Sequence, residues 1–114
     1  MGEERRRFPR ATYPFGAQCR LLEDPGHGWI PSTVVNLSAN GLRFRSEMPL
    51  ERGAEIEIQF QPEGFQEALL LRGRIVWAEM RAAGVVEHGV ELSNISSTQE
   101  LAIDRLVSFL RQGR

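Results

Sequence analysis

The stretch Ala54-Glu55-Ile56-Glu57-Ile58-Gln59-Phe60 alternates apolar and polar residues without a break, and a period of two is the signature of a half-buried strand. Ile56, Ile58 and Phe60 fall on one face. Leu42-Arg43-Phe44-Arg45 alternates in the same way with both arginines facing out, and Tyr13, Phe15, Ala17, Cys19 and Leu21 share a parity that predicts a first strand over 12–22. Further strands are predicted over 29–37, 67–80 and 84–93, separated by the turn-forming runs Asp24-Pro25-Gly26, Asn40-Gly41, Arg52-Gly53 and Pro62-Glu63-Gly64. So many short strands with one apolar face each must curl around a shared core, as a small barrel or a sandwich.

The pattern changes after Asn94. Ser97 and Glu100 have capping-box spacing, and Ile103, Leu106, Val107 and Leu110 then recur at i, i+3, i+4, i+7. This predicts one amphipathic helix over 97–112, lying as a lid on the strands. At 114 residues the chain is expected to be a single domain: an arm over 1–11, strands over 12–94 and the closing helix.

Composition narrows what such a domain does. With 41% hydrophobic and 25% charged residues, it reads as an ordinary globular protein. Fourteen basic residues, all arginine, stand against fifteen acidic ones for a net charge of −1, which argues against a whole-surface nucleic-acid binder. A barrel for RNA or single-stranded DNA would want aromatics along a strand and a broadly basic face; only Arg43, Arg45, Arg72 and Arg74 offer a partial one, so no DNA or RNA partner is expected. Cys19, the only cysteine, sits on an apolar face and reads as an inert core thiol. No apolar run approaches the ~18 residues of a membrane span, and the first residues are charged where a signal peptide is apolar. The expectation is a cytoplasmic protein without membrane insertion.

Catalysis finds little foothold. His27 belongs to a turn, and His88 shares strand parity with Val86, Val90 and Leu92. No His-Glu-x-x-His, Gly-x-Ser-x-Gly or Walker-type segment occurs, and no metal-ligand spacing stands out. The expectation is no enzyme, no metal and no cofactor.

Binding has two candidate segments. In Arg5-Arg6-Arg7-Phe8-Pro9-Arg10, Pro9 disfavours a continuing helix, so the guanidiniums project at several angles. Arginine pairs in bidentate fashion with phosphate or with the O6/N7 edge of guanine, and it stacks on a base. Taken alone, the run also fits a solvated basic terminus. In Asn36-Leu37-Ser38-Ala39-Asn40-Gly41, shared inward parity of Val35 and Leu37 puts Asn36 and Ser38 on the outer face. Gly41 would then take a positive φ in the tight turn. Such a polar pair beside a bare bend suits a planar ligand, or it merely satisfies turn amides.

An Arg-x-x-x-Arg pair followed by Asn-x-Ser-x-x-Gly resembles the paired signature of the PilZ family, here Arg6 to Arg10 and Asn36 to Gly41. Gly89-Val90-Glu91-Leu92 is similar to the family's late strand, and the similarity runs from about Glu4 to Asn94. The resemblance implies a mainly β fold, a six-stranded antiparallel PilZ-type β-barrel with a C-terminal α-helix. It also implies a bacterial receptor for cyclic di-GMP that signals to a downstream protein. Arg6 and Arg10 would carry over as the gripping pair, Asn36 and Ser38 as polar contacts, and Gly41 as the backbone turn. Asn36 stands where aspartate is commoner, so the position keeps an acceptor and loses a charge. Arg5, just before the motif, resembles an extra arginine that helps hold a second ligand molecule, which implies a stacked cyclic di-GMP dimer on each chain. Trp77 resembles an aromatic that some stand-alone members place beside the guanine, although parity with Leu71 and Ile75 points it into the core. The alternative is a PilZ-fold protein–protein interaction module that binds no nucleotide; such degenerate domains usually lose the arginines kept here.

Overall fold

Six of the alternating stretches become strands, each hydrogen-bonded to two neighbours. A computed structural model describes residues 14–112, so the arm, with Arg5, Arg6 and Arg10, and the first residues of the predicted first strand lie outside the described residues. The strands are β1 (Phe15–Leu21), β2 (Ile30–Ser38), β3 (Gly41–Ser46), β4 (Glu55–Phe60), β5 (Leu69–Met80) and β6 (Val86–Ser93), followed by α1 (Ser97–Gln112). They pair antiparallel in the order β1-β2-β3-β6-β5-β4, and β4 returns to β1 to close a barrel. The mainly β reading with one C-terminal helix therefore holds, and of barrel and sandwich the chain forms the barrel.

Inward residues supply a continuous core. Val34, Leu37, Phe44, Ile56, Ile58, Leu71 and Ile75 are almost wholly withdrawn from solvent, and α1 adds Ile103, Leu106, Val107 and Leu110 to the same cluster. Those four are the residues that the helical spacing singled out. Burial of each such side chain is worth about 1.5–3 kcal/mol, so the helix stripe is a substantial part of what holds the domain together.

Two strands break the simple alternation. β2 shifts register between Val34 and Asn36, and β5 shifts between Ile75 and Trp77. A bulge of this kind inserts one residue and moves everything beyond it to the opposite parity. Val34, not Val35, is therefore the inward partner of Leu37; Val35 is half-buried and lines an outer groove with Thr33 and Arg45.

The helix cap also sits one residue earlier than its spacing suggests. Ser96 Oγ accepts a hydrogen bond from the Gln99 backbone N–H at 3.0 Å, and Gln99 Oε1 accepts one from the Ser96 N–H at 3.0 Å. This is a reciprocal capping box built on Ser96 and Gln99 rather than on Ser97 and Glu100. Ser96→Ala should therefore cost about 0.5–2 kcal/mol in chemical denaturation, whereas Ser97→Ala should stay within about 0.5 kcal/mol of wild type. The opposite ranking would place the cap at Ser97.

Candidate functional site

The outer face of β2, β3, β6 and β5 collects the sequence-predicted site residues that lie within the described chain. Across that face the register places Asn36 opposite Arg43, Arg43 opposite Gly89, and Gly89 opposite Trp77. The adjacent outward row runs Ser38, Gly41, Glu91, Arg74. Asn36, Ser38, Gly41 and Trp77 thus share one surface, although they come from three strands.

Both bulges are needed for this. Without the one in β2, Asn36 would not lie opposite outward Arg43; without the one in β5, Trp77 would keep the inward parity of Leu71 and Ile75. Instead Trp77 is 37% exposed and its indole covers Gly89. A Cβ on Gly89 would collide with the indole Nε1 and Cε2, so glycine is what lets the ring occupy this position over the strand. The core placement implied by parity is overturned by a bulge that alternation cannot reveal.

The Asn36–Gly41 segment is more enclosed than its sequence suggests. Asn36 and Ser38 are both buried, at 7% and 2% exposure. Ser38 Oγ donates to Asn40 Oδ1 at 2.7 Å, and the Leu92 N–H donates to the Asn40 carbonyl at 3.2 Å, which ties the hairpin tip to β6. Gly41 does not take the positive φ expected of it; it opens β3 with ordinary strand geometry. Glycine is required there for another reason: a Cβ would stand 2.7 Å from the Val90 carbonyl oxygen of the neighbouring strand.

Sequence reasoning missed Glu87. It is only 1% exposed although its parity is outward, because arginines close over it. Arg43 Nη1 donates to its Oε2 at 3.2 Å, and Arg45 Nε and Arg81 Nε each donate to Oε1 at 3.1 Å. Burial alone would raise the carboxyl pKa, but the hydrogen bonds from Arg81 and Arg45 outweigh it and hold Glu87 below the ordinary carboxylate range. The clue in the sequence is that Arg43 and Arg45 share the outward parity that Glu87 has on a later strand. Other pairs consume the remaining cations of the partial basic surface: Arg72 lies 3.7 Å from Glu57, and Arg74 lies 3.4 Å from Glu91. The face is a mosaic of ion pairs, not a basic stripe.

Other polar groups serve the fold. His27 Nδ1 meets Asp24 Oδ2 at 2.7 Å in an exposed turn. His88 is fully buried, stacks on Phe44 at 4.7 Å, and accepts the Leu50 N–H on Nε2 at 3.1 Å. Cys19 is buried, and burial pushes its thiol pKa up despite a contact from Ser32. Among the described residues, no three His, Cys, Asp or Glu side chains gather as a metal site, and no helix is long and apolar enough to cross a membrane.

The PilZ domain family model matches residues 4–109. In fold, the chain is similar to the PilZ domain with c-di-GMP of YcgR from Escherichia coli, with a TM-score of 0.77 at 18% identity over 96% of this chain and 93% of that one. It is also similar to the PilZ domain of CeSA from a cellulose synthesizing bacterium, with a TM-score of 0.66 at 20% identity over 90% and 98% of the two chains. With the inhibitor of motility MotI/DgrA of Bacillus subtilis the TM-score is 0.72 at 13% identity, over 96% of this chain and 53% of that one. No curated protein matches the sequence.

His88 gives the barrel a pH dependence of definite sign. Burial pushes its imidazole pKa below the ordinary value, against a weaker opposing pull from the Phe44 backbone. The unfolded chain, with a histidine pKa of about 6.5, then takes up a proton more readily than the folded chain does. Its contribution to stability is fully present above about pH 6.5 and declines as the pH falls from there toward the folded pKa. The denaturation midpoint should therefore drop between pH 7.5 and 5.5 in wild type and drop less in His88→Gln. Equal pH dependence in the two proteins would show that His88 is not the group responsible.

Proposed function

Because this chain belongs to the PilZ domain family, we propose that it is a receptor for cyclic di-GMP that binds the dinucleotide and reports it to a downstream protein. What carries the reading is the convergence of Asn36, Ser38, Gly41 and Trp77 on one outer face of the barrel, beside a glycine floor. The solved relative YcgR, a PilZ domain with c-di-GMP, supports the choice of ligand.

The chemistry divides among the parts. Cyclic di-GMP is a dianion with two purine rings. Asn36 offers an amide that both donates and accepts, and the Ser38–Asn40 pair offers a hydroxyl and a second amide. Trp77 supplies a broad aromatic surface on which a guanine stacks. The arm brings the cations: Arg6 and Arg10 pair with phosphate or with the guanine O6/N7 edge, and Arg5 caps a second guanine, so that a stacked dimer of the ligand occupies each chain. Engagement of the arm's arginines by the ligand gives the domain the signal that a downstream protein reads. The domain binds and reports rather than turning a substrate over.

Arg6→Ala or Arg10→Ala should each remove charge-assisted hydrogen bonds worth about 1.5–3 kcal/mol, weakening binding roughly tenfold or more in calorimetric titration. GTP and GMP serve as controls. Wild-type binding by the double variant, or no binding by wild type, would leave the protein–protein module as the better reading. Replacing Arg5 with leucine should move the endpoint from two ligands per chain toward one while binding persists. A wild-type endpoint of one would assign Arg5 to a solvated terminus.

A further inference from the structure

The outward row Asn36, Arg43, Gly89, Trp77 contains one cation, and no sequence motif points to it. Neighbouring strands lie about 4.7–4.9 Å apart, so Arg43 is one strand from Asn36 and about 10 Å from the strand that carries Trp77. The position between Arg43 and Trp77 is Gly89, and the Trp77 indole covers it. Because the indole covers Gly89, the next side chain along the row from it is Arg43.

Arg43 is exposed and partly engaged. Its side chain is 44% exposed, and one Nη is anchored to Glu87 at 3.2 Å. A guanidinium has five N–H donors, and among the described residues Glu87 is its only acidic partner. Glu87 is oversubscribed: it also serves Arg45 and Arg81, and of these, among the described residues, only Arg81 has a further carboxylate, Glu79 at 3.4 Å. Among the described residues three guanidiniums stand around two carboxylates, and Glu87 engages one Nη of Arg43.

Resting on the cyclic di-GMP reading, we propose that Arg43 is a further ligand-binding residue that sets base specificity. Its guanidinium fork donates to the O6/N7 edge of the guanine stacked on Trp77. Guanine presents two acceptors on that edge, whereas adenine replaces one with an amino donor, so the fork distinguishes the two bases. Lysine at this position would keep the charge and lose the planar fork.

The test is titration of wild type, Arg43→Ala and Arg43→Lys with cyclic di-GMP and cyclic di-AMP. Arg72→Ala is the control, because Arg72 belongs to the separate pair with Glu57. Both Arg43 variants should bind cyclic di-GMP about tenfold or more weakly, their preference over cyclic di-AMP should shrink, and the control should bind as wild type does. The Lys variant preserves the cation beside Glu87 and so guards against a loss caused by misfolding, which thermal melts also report. Cyclic di-GMP binding by Arg43→Lys within twofold of wild type would overturn the edge contact. Equal losses in Arg43→Ala and Arg72→Ala would reduce the effect to general electrostatics and overturn it too. Failure of wild type to bind cyclic di-GMP removes the underlying reading, and this inference with it.

Discussion

Closure of the barrel is the constraint on which the rest of the structure depends. Each strand lies between two hydrogen-bonded neighbours, so a strand with one residue too many must bulge rather than slip past an edge. β2 does so between Val34 and Asn36, and β5 between Ile75 and Trp77. Each bulge preserves inward apolar residues: Val34 and Leu37 on its two sides in β2, and Leu71 and Ile75 ahead of the shift in β5. Each also re-aims the residues beyond it. The same two insertions that keep the core intact deliver Asn36 and Trp77 to one outer row.

Charge on that face is governed by burial. A carboxylate as withdrawn as Glu87 would cost several kcal/mol if left unpaired, and three guanidiniums meet that demand. Glu57, 8% exposed, is treated in the same way by Arg20 at 2.7 Å and Arg72 at 3.7 Å. A chain whose basic residues are all arginine is well suited to this, because a fork shares itself among several acceptors where an ammonium acts as a point. The sheet's arginines are thereby engaged in holding the sheet. Under the proposed function, the arginines of the arm and the partly engaged Arg43 supply cations to the dianionic ligand.

Periodic features were legible in the sequence. Ile56, Ile58 and Phe60 face the core as alternation requires, and Ile103, Leu106, Val107 and Leu110 form the helix stripe at the expected spacing. Single, non-periodic events were not legible. Parity carries Val35 inward and leaves Trp77 with the core residues because a bulge has no fixed sequence mark. The capping box moves by one because Ser96-Ser97 and Gln99-Glu100 offer two equivalent frames, and only the backbone geometry chooses between them. Gly41 does need to be glycine, but for close approach to Val90 rather than for left-handed φ. Asn36 and Ser38 occupy one surface as expected, though buried more deeply than an exposed strand face implies.

Under the proposed function, a planar ligand lies on the row Asn36, Arg43, Gly89, Trp77. Two-dimensional nitrogen–proton NMR of labelled protein, titrated with cyclic di-GMP, tests it residue by residue. The two tryptophan indoles report separately: Trp77 covers Gly89 on the proposed site, while Trp29 lies beneath Arg20 at 4.5 Å, beside the Glu57 pair. The expected result is a large shift of the Trp77 indole N–H together with the backbone amides of Asn36, Arg43 and Gly89, with Trp29 unmoved. Shifts confined to the Trp29 side, or a Trp77 indole that stays in place while the ligand saturates, would contradict it.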